Sequence, residues 1–92
     1  MKYKIHPEKS FRKQYKRLKK RGYDMSLLDD VVLRLANGEK LPAKYQDHPL
    51  QGDRHGYRDC HIQGDWVLIY KIDKGILTLI LAETGTHSDI FE

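Results

Sequence analysis

Cysteine is almost absent from this chain: Cys60 is the only one in 92 residues, beside three prolines, two phenylalanines and one tryptophan. A single thiol closes no internal disulfide, so packing must hold the fold, and the cytoplasm is the default compartment. No apolar run approaches the ~20 residues that a bilayer span requires. The opening MKYKIHPEKS lacks the apolar segment of a signal peptide. Repeats, low-complexity tracts and linkers are missing as well. No Cys/His pair has zinc-ligand spacing, so neither a metal nor a cofactor is expected. The length suits one domain over residues 1–92 and excludes the large α/β enzyme scaffolds.

What is present is charge, unevenly spread. Lys and Arg number 17 against 13 Asp and Glu, a formal net charge of +4. Residues 1–46 hold 13 basic and 5 acidic side chains, net +8, and residues 47–92 hold 4 and 8, net −4. The basic half suits a polyanion such as nucleic acid, although a solvated helix face has the same composition. Four of the five histidines lie in the acidic half. The division suggests one part that gathers a polyanion and another that does chemistry on it.

Hydrophobic periodicity gives the elements. Residues 2–5, KYKI, alternate as a short strand, and Pro7 ends the alternation. From about Glu8 to Arg21 the period is helical, with Phe11, Tyr15 and Leu18 on one face and basic residues on the rest, and Gly22 is a stop. A second helix should start near Asp24 or Ser26, carry Leu28, Val31, Val32 and Leu35 inward, and end at Asn37-Gly38. Residues 41–45 read as a loop or a short helical turn. After Gly52 the period becomes two. Tyr57 to Ile62 should place Tyr57, Asp59 and His61 on one face and Arg58, Cys60 and Ile62 on the other. WVLIYKI (66–72) and ILTLILA (76–82) are strands joined by turns at 63–65 and 73–75, the last covered on both faces. The order β-α-α-β-β-β predicts an α+β fold, an antiparallel sheet with the helical hairpin packed on one side.

Three polar clusters remain once core and caps are assigned: Asp47-His48-Pro49-Leu50; Asp59, His61 and Asp65; and His87 with Phe91. A meander can bring all three to one edge. Cleavage of RNA needs a base for the 2′-hydroxyl proton, an acid for the leaving 5′ oxygen and positive charge near the phosphate. The RNA supplies its own nucleophile, and histidine titrates near neutrality. Trp66 and Phe91 are candidates for stacking bases, though Trp66 also reads as core and Phe91 as a pin for the chain end. Cys60 should face away from His61, which argues against a thiol nucleophile. His6 and His55 read as ordinary surface residues.

DHPLQG (47–52), GYRDCHI (56–62), DWVLIYK (65–71) and TGTHSDIF (84–91) resemble blocks of the RelE/ParE toxin superfamily, and within it the YafQ-type mRNA interferases. The resemblance implies the compact RelE-like fold and ribosome-dependent, metal-independent cleavage of mRNA in the A site of the 70S ribosome, leaving a 2′,3′-cyclic phosphate. It implies a cognate antitoxin, a small ribbon-helix-helix DNA-binding protein, with operator DNA bound only through it, and no membrane partner. Functional positions carried over from the pattern are His48, His61, Asp65 and His87, with Trp66 and Phe91 in support and Asp59 as a further candidate. His87 is the candidate acid; Asp65, His61 and His48 share the candidacy for base. Where the YafQ-type pattern carries arginine, two residues before Gly-Thr-His, this chain has Glu83. Either Arg54, Arg58 or a lysine of the first helix would then supply the missing cation or cleavage would be weaker, and Lys13, Lys16 and Arg17 would set affinity for the ribosome. Two alternatives stand beside this reading: a ParE-like inhibitor of DNA gyrase, which needs no histidine set, and an inactive fold relative that only binds antitoxin.

Overall fold

The computed structural model describes residues 1–91. Strand β1 (Lys4–Pro7) leads into α1 (Lys9–Lys20) and α2 (Met25–Ala36), followed by β2 (His48–Pro49), β3 (Arg58–Gln63), β4 (Trp66–Asp73), β5 (Thr78–Thr86) and α3 (His87–Phe91). Single turns of 3-10 helix at Ala43–Tyr45 and Gly52–Arg54 flank β2. The α+β architecture is the one predicted, and the strands lie in the order β1-β5-β4-β3-β2. The sheet differs from the expected antiparallel one in two ways: a fifth strand, β2, pairs with β3 where a loop was expected, and β1 runs parallel to β5, Lys4 opposite Thr78 through Pro7 opposite Leu81. The helical hairpin between them is the long crossover that parallel pairing requires. Pro7 is tolerated because β1 is an edge strand.

Both long helices begin and end where their chemistry says. Asp24 accepts the Ser26 amide at 3.1 Å and caps α2. Gly22 takes φ +88° just after α1, which lets the Tyr23 amide donate to the Leu18 carbonyl and the Gly22 amide to that of Lys19, a closing turn that a side chain would strain. Phe11 and Leu18 of α1 and Leu28, Val31, Val32 and Leu35 of α2 are buried against Trp66, Leu68, Tyr70, Leu79 and Leu81 of the sheet. Tyr15 is half-buried and its hydroxyl donates to Asp29, tying the two helices together.

The edge of β5 explains where α1 lies. Pairing with β1 stops at Leu81, and beyond it α1 takes over. The Ser10 hydroxyl donates to the Ala82 carbonyl at 2.7 Å, and the Thr84 amide donates to the Gln14 side chain at 2.9 Å. The strand edge is thereby covered instead of left open. Strand β5 also runs to Thr86, four residues past the predicted end, and Ile76, expected in the strand, stands exposed in the preceding turn.

The opposite face of the sheet carries a smaller apolar cluster, Val67, Ile69 and Ile90, with Leu50, Tyr57 and Ala82 against it. Polar side chains occupy the rest of that face. No helix among the described residues is long and apolar enough to cross a membrane.

Candidate functional site

Register decides which polar residues meet. Residues directly opposite in an antiparallel pair share a face. His48 lies opposite Asp59, Asp59 opposite Ile69, and Ile69 opposite Glu83, which makes one row across β2, β3, β4 and β5. His61, Val67 and Gly85 form the next row. Both rows lie on the face without helices.

The chain end closes over these rows. Thr86 and Asp89 cap each other around the first turn of α3: the Asp89 amide donates to the Thr86 hydroxyl at 3.1 Å, and the Thr86 amide to the Asp89 carboxylate at 3.2 Å. The Thr86 amide, the Thr86 hydroxyl and the neighbouring Arg21 guanidinium hold the Asp89 carboxyl below its ordinary range. The His87 amide donates to the Asp65 carbonyl at 2.9 Å, which docks the tail on the β3–β4 turn. Ile90, 8% exposed, sinks into the Val67–Ile69 cluster. His87 is thus fixed on both sides. Helix α3 was absent from the expected elements, although T-x-x-D at 86–89 is a capping signature that announces it.

The resulting group is compact. The His61 and His87 ring centroids are 6.0 Å apart, and the Phe91 ring lies 4.7 Å from that of His87. Asp59 lies beneath, 1% exposed, and its Oδ1 has no hydrogen-bond partner among the described residues. Burial pushes its pKa up; His48, His61 and His87 pull it back, and Asp47 adds to the rise. Ligand atoms of Asp59, His61 and His87 all lie within 4.8 Å of one another, so this trio has the chemistry and spacing to hold a metal ion as well as to move protons.

His48 is set from outside the sheet. Tyr70 and Arg58 both donate to the Asp47 carboxylate, at 2.8 and 3.1 Å, and fasten the loop. The His48 Nδ1–H donates to the Gln46 carbonyl at 2.7 Å, which leaves Nε2 unprotonated in the neutral ring. Asp65 stands exposed on the turn, its backbone against His87.

The other expected site residues fall in several places. Arg58 sits on the helix-covered face with Tyr70, engaged by Asp47, and is not part of the histidine group. Cys60 is fully buried on that same side, and burial pushes its thiol pKa far up, so it offers no nucleophile. The expectation that Trp66 stacks a base is corrected. Its ring is 1% exposed, edge-on to Tyr23 at 5.1 Å, and its indole N–H donates to the Thr84 hydroxyl at 2.9 Å. It packs against the helices because the β4 alternation sends it to their side. Phe91 is 37% exposed, with the His87 ring and the Arg54 guanidinium beside its own ring. Lys13 and Lys16 line an open groove of about 530 Å³ with Pro7, Lys9, Phe11, Arg12 and Tyr15, apart from the histidines, and Arg17 is exposed on the same helix. Arg54 reaches Glu83 at 3.0 Å and the Ile90 carbonyl at 3.2 Å, and its guanidinium lies 4.9 Å from the Phe91 ring centre.

Residues 3–92 match the family described as bacterial toxin of type II toxin–antitoxin system, YafQ. The chain belongs to the YafQ toxin family. It is 44% identical over 82 residues to the mRNA interferase toxin YafQ of Escherichia coli K12, covering 88% of this chain and 87% of the relative. The fold superposes on the E. coli DinJ–YafQ complex with a TM-score of 0.90 at 41% identity, covering 98% of this chain and 99% of that one. A metal-bound toxin from Helicobacter pylori gives a TM-score of 0.91 at 43% identity, covering 97% and 99%. Against the YafQ-type pattern the one charge reversal singled out in the sequence, Glu83, is answered within the fold by Arg54.

Proposed function

We propose that residues 1–92 act as one toxin domain that cleaves mRNA on the ribosome in the cytoplasm, by proton transfer and without a metal. The observation that carries this reading is the pair of imidazoles, His61 and His87, 6.0 Å apart over the buried carboxyl of Asp59. A ribose 2′-oxygen and the 5′-oxygen leaving the same phosphorus lie on opposite sides of the phosphate. Two imidazoles at this separation can address both.

In the reaction the 2′-hydroxyl gives its proton to a base as its oxygen attacks phosphorus, and His87 protonates the departing 5′-oxygen. The products are a 2′,3′-cyclic phosphate and a 5′-hydroxyl. His61, beside His87, is the proposed base, and His48 and Asp65 are the other candidates. Asp59, unpartnered on one oxygen and close to the His61 and His87 rings, stabilises whichever is cationic. Phe91 offers the exposed part of its ring to a base of the message, worth about 1–3 kcal/mol. The basic face of α1 supplies affinity for ribosomal RNA. The E. coli relative was solved with DinJ; a cognate antitoxin of ribbon-helix-helix type would silence this chain and alone connect it to operator DNA.

Mapping of mRNA 5′ ends after brief expression tests the reading. Discrete cuts in translated messages are expected, with His87→Ala and His61→Ala each lowering the cleavage rate about 10²- to 10⁴-fold. Undiminished cutting by both variants would defeat it. DNA breaks without mRNA cuts would point instead to gyrase.

A further inference from the structure

A phosphate crossing this face needs a cation, and the fold disposes of most candidates. Arg58 is on the other face, held by Asp47. Arg21 pairs with Asp89 at the foot of α3. Lys13 and Lys16 line a groove that contains none of the histidines. Arg54 differs from all of these. It comes from the single helical turn at Gly52–Arg54, and its side chain leans over β5 to Glu83 in the His48–Asp59–Ile69 row.

We infer that Arg54 is a catalytic residue of this toxin, the guanidinium that contacts the scissile phosphate, and that Glu83 is the residue that positions it; the inference rests on the reading of the site as an RNA-cleaving centre. A guanidinium has five N–H donors. Nη2 of Arg54 serves both Glu83 and the Ile90 carbonyl. Among the described residues Nε and Nη1 donate to nothing, which leaves N–H donors on two edges of the guanidinium open to phosphate oxygens. The plane is braced against Phe91, whose ring touches His87 in turn. The cation therefore shares the Phe91 ring with the proposed acid, held by a carboxylate, a carbonyl and an aromatic ring, and half-open to solvent. Arg54 and Glu83 also wall a cleft of about 220 Å³ whose lining includes Glu8, Tyr57 and Ile69. Fixing an arginine this way removes the need to order it when substrate arrives.

The two partners of the ion pair give different results when changed, and that asymmetry is the test. Arg54→Gln and Glu83→Gln are compared with the parent for cleavage of an mRNA on programmed ribosomes, at saturating and limiting toxin, alongside thermal melts and His87→Ala. Arg54→Gln is expected to lower the saturated rate about 100-fold or more with little change in half-saturating concentration. Glu83→Gln keeps an acceptor for Arg54 but loses the charge that holds it, and its saturated rate is expected to fall about two- to fivefold, well short of the loss in Arg54→Gln. Arg54→Lys, which keeps charge but not the planar set of donors, is expected to recover only part of the loss. Equal losses of rate from both glutamine variants, matched by equal falls in melting temperature, would show an ion pair that serves only the fold and would overturn the inference. So would an Arg54→Gln variant that cuts as fast as the parent while His87→Ala is inactive, and in that case the reading of the site would stand. Where Arg54→Gln melts too low to assay, a saturated rate for Arg54→Lys equal to that of the parent overturns the inference, and a reduced one at unchanged melting temperature upholds it.

Discussion

Truncating Ile90 to alanine should disable this toxin while leaving most of the molecule folded. Helix α3 is five residues long and is attached by few groups. Burial of the Ile90 side chain contributes about 2–3 kcal/mol. The amide of His87 on the Asp65 carbonyl contributes about 1 kcal/mol, and the charged donor Arg54 on the Ile90 carbonyl about 1.5. The Thr86–Asp89 cap contributes about 1 kcal/mol more. Against a sum of about 6 kcal/mol, ordering five residues costs roughly 1–1.5 kcal/mol each. Docking of the tail is therefore within a couple of kcal/mol of balance, and Ile90 decides it. Removing about 2–3 kcal/mol shifts the docking equilibrium about 30- to 150-fold, at tenfold for each 1.4 kcal/mol. His87 then leaves His61 most of the time. Cleavage should fall by a similar factor, and the His87 amide should lose protection in hydrogen exchange. Amides of β4 should keep theirs, because the helix-side core around Leu68, Tyr70 and Leu79 is untouched. Cleavage within threefold of the parent, or a loss of protection spread evenly over β4 and β5, would refute this account of the tail.

Asp59→Asn tests the buried carboxyl. Its raised pKa makes folding stability greatest below the ordinary carboxylate range and lower as pH rises through the raised value, while His48, His61 and His87, when protonated, offset part of the loss. Urea melts at pH 4, 6 and 8 should show this decline in the parent, up to about 1–3 kcal/mol, and not in the variant; parallel curves would exclude it. Extensive dialysis against a chelator should leave cleavage unchanged, and added copper or zinc should slow it by occupying Asp59, His61 and His87; activity lost on chelation and restored by metal would reverse the proposed mechanism. Reversing Lys13, Lys16 and Arg17 together to glutamate should weaken ribosome binding and flatten the plot of log affinity against log salt by about one for each phosphate no longer neutralised. An unchanged slope in a binding titration would remove α1 from the ribosome-facing surface.

Local signals settled most of the secondary structure in advance. Period and punctuation placed both long helices, since Asp24, Gly22 and the Phe11–Leu18 stripe act within a few residues of themselves. Alternation along β3 sent Asp59 and His61 one way and Cys60 the other, as the structure has them. Blocks 47–52, 56–62 and 84–91 carried the family. Tertiary structure decided what depends on groups distant in the chain. Strand β1 beside β5 pairs residues more than 70 positions apart, and no local pattern reports its direction. Trp66 is legible as a β-former either inward or at the site, and only the position of Tyr23 and Thr84 puts it inward. Glu83 by itself looks like a charge set against phosphate. Its meaning changes because Arg54, 29 residues earlier, is folded over it, and a pairing of that kind is fixed by register and loop closure, which no short stretch of sequence contains.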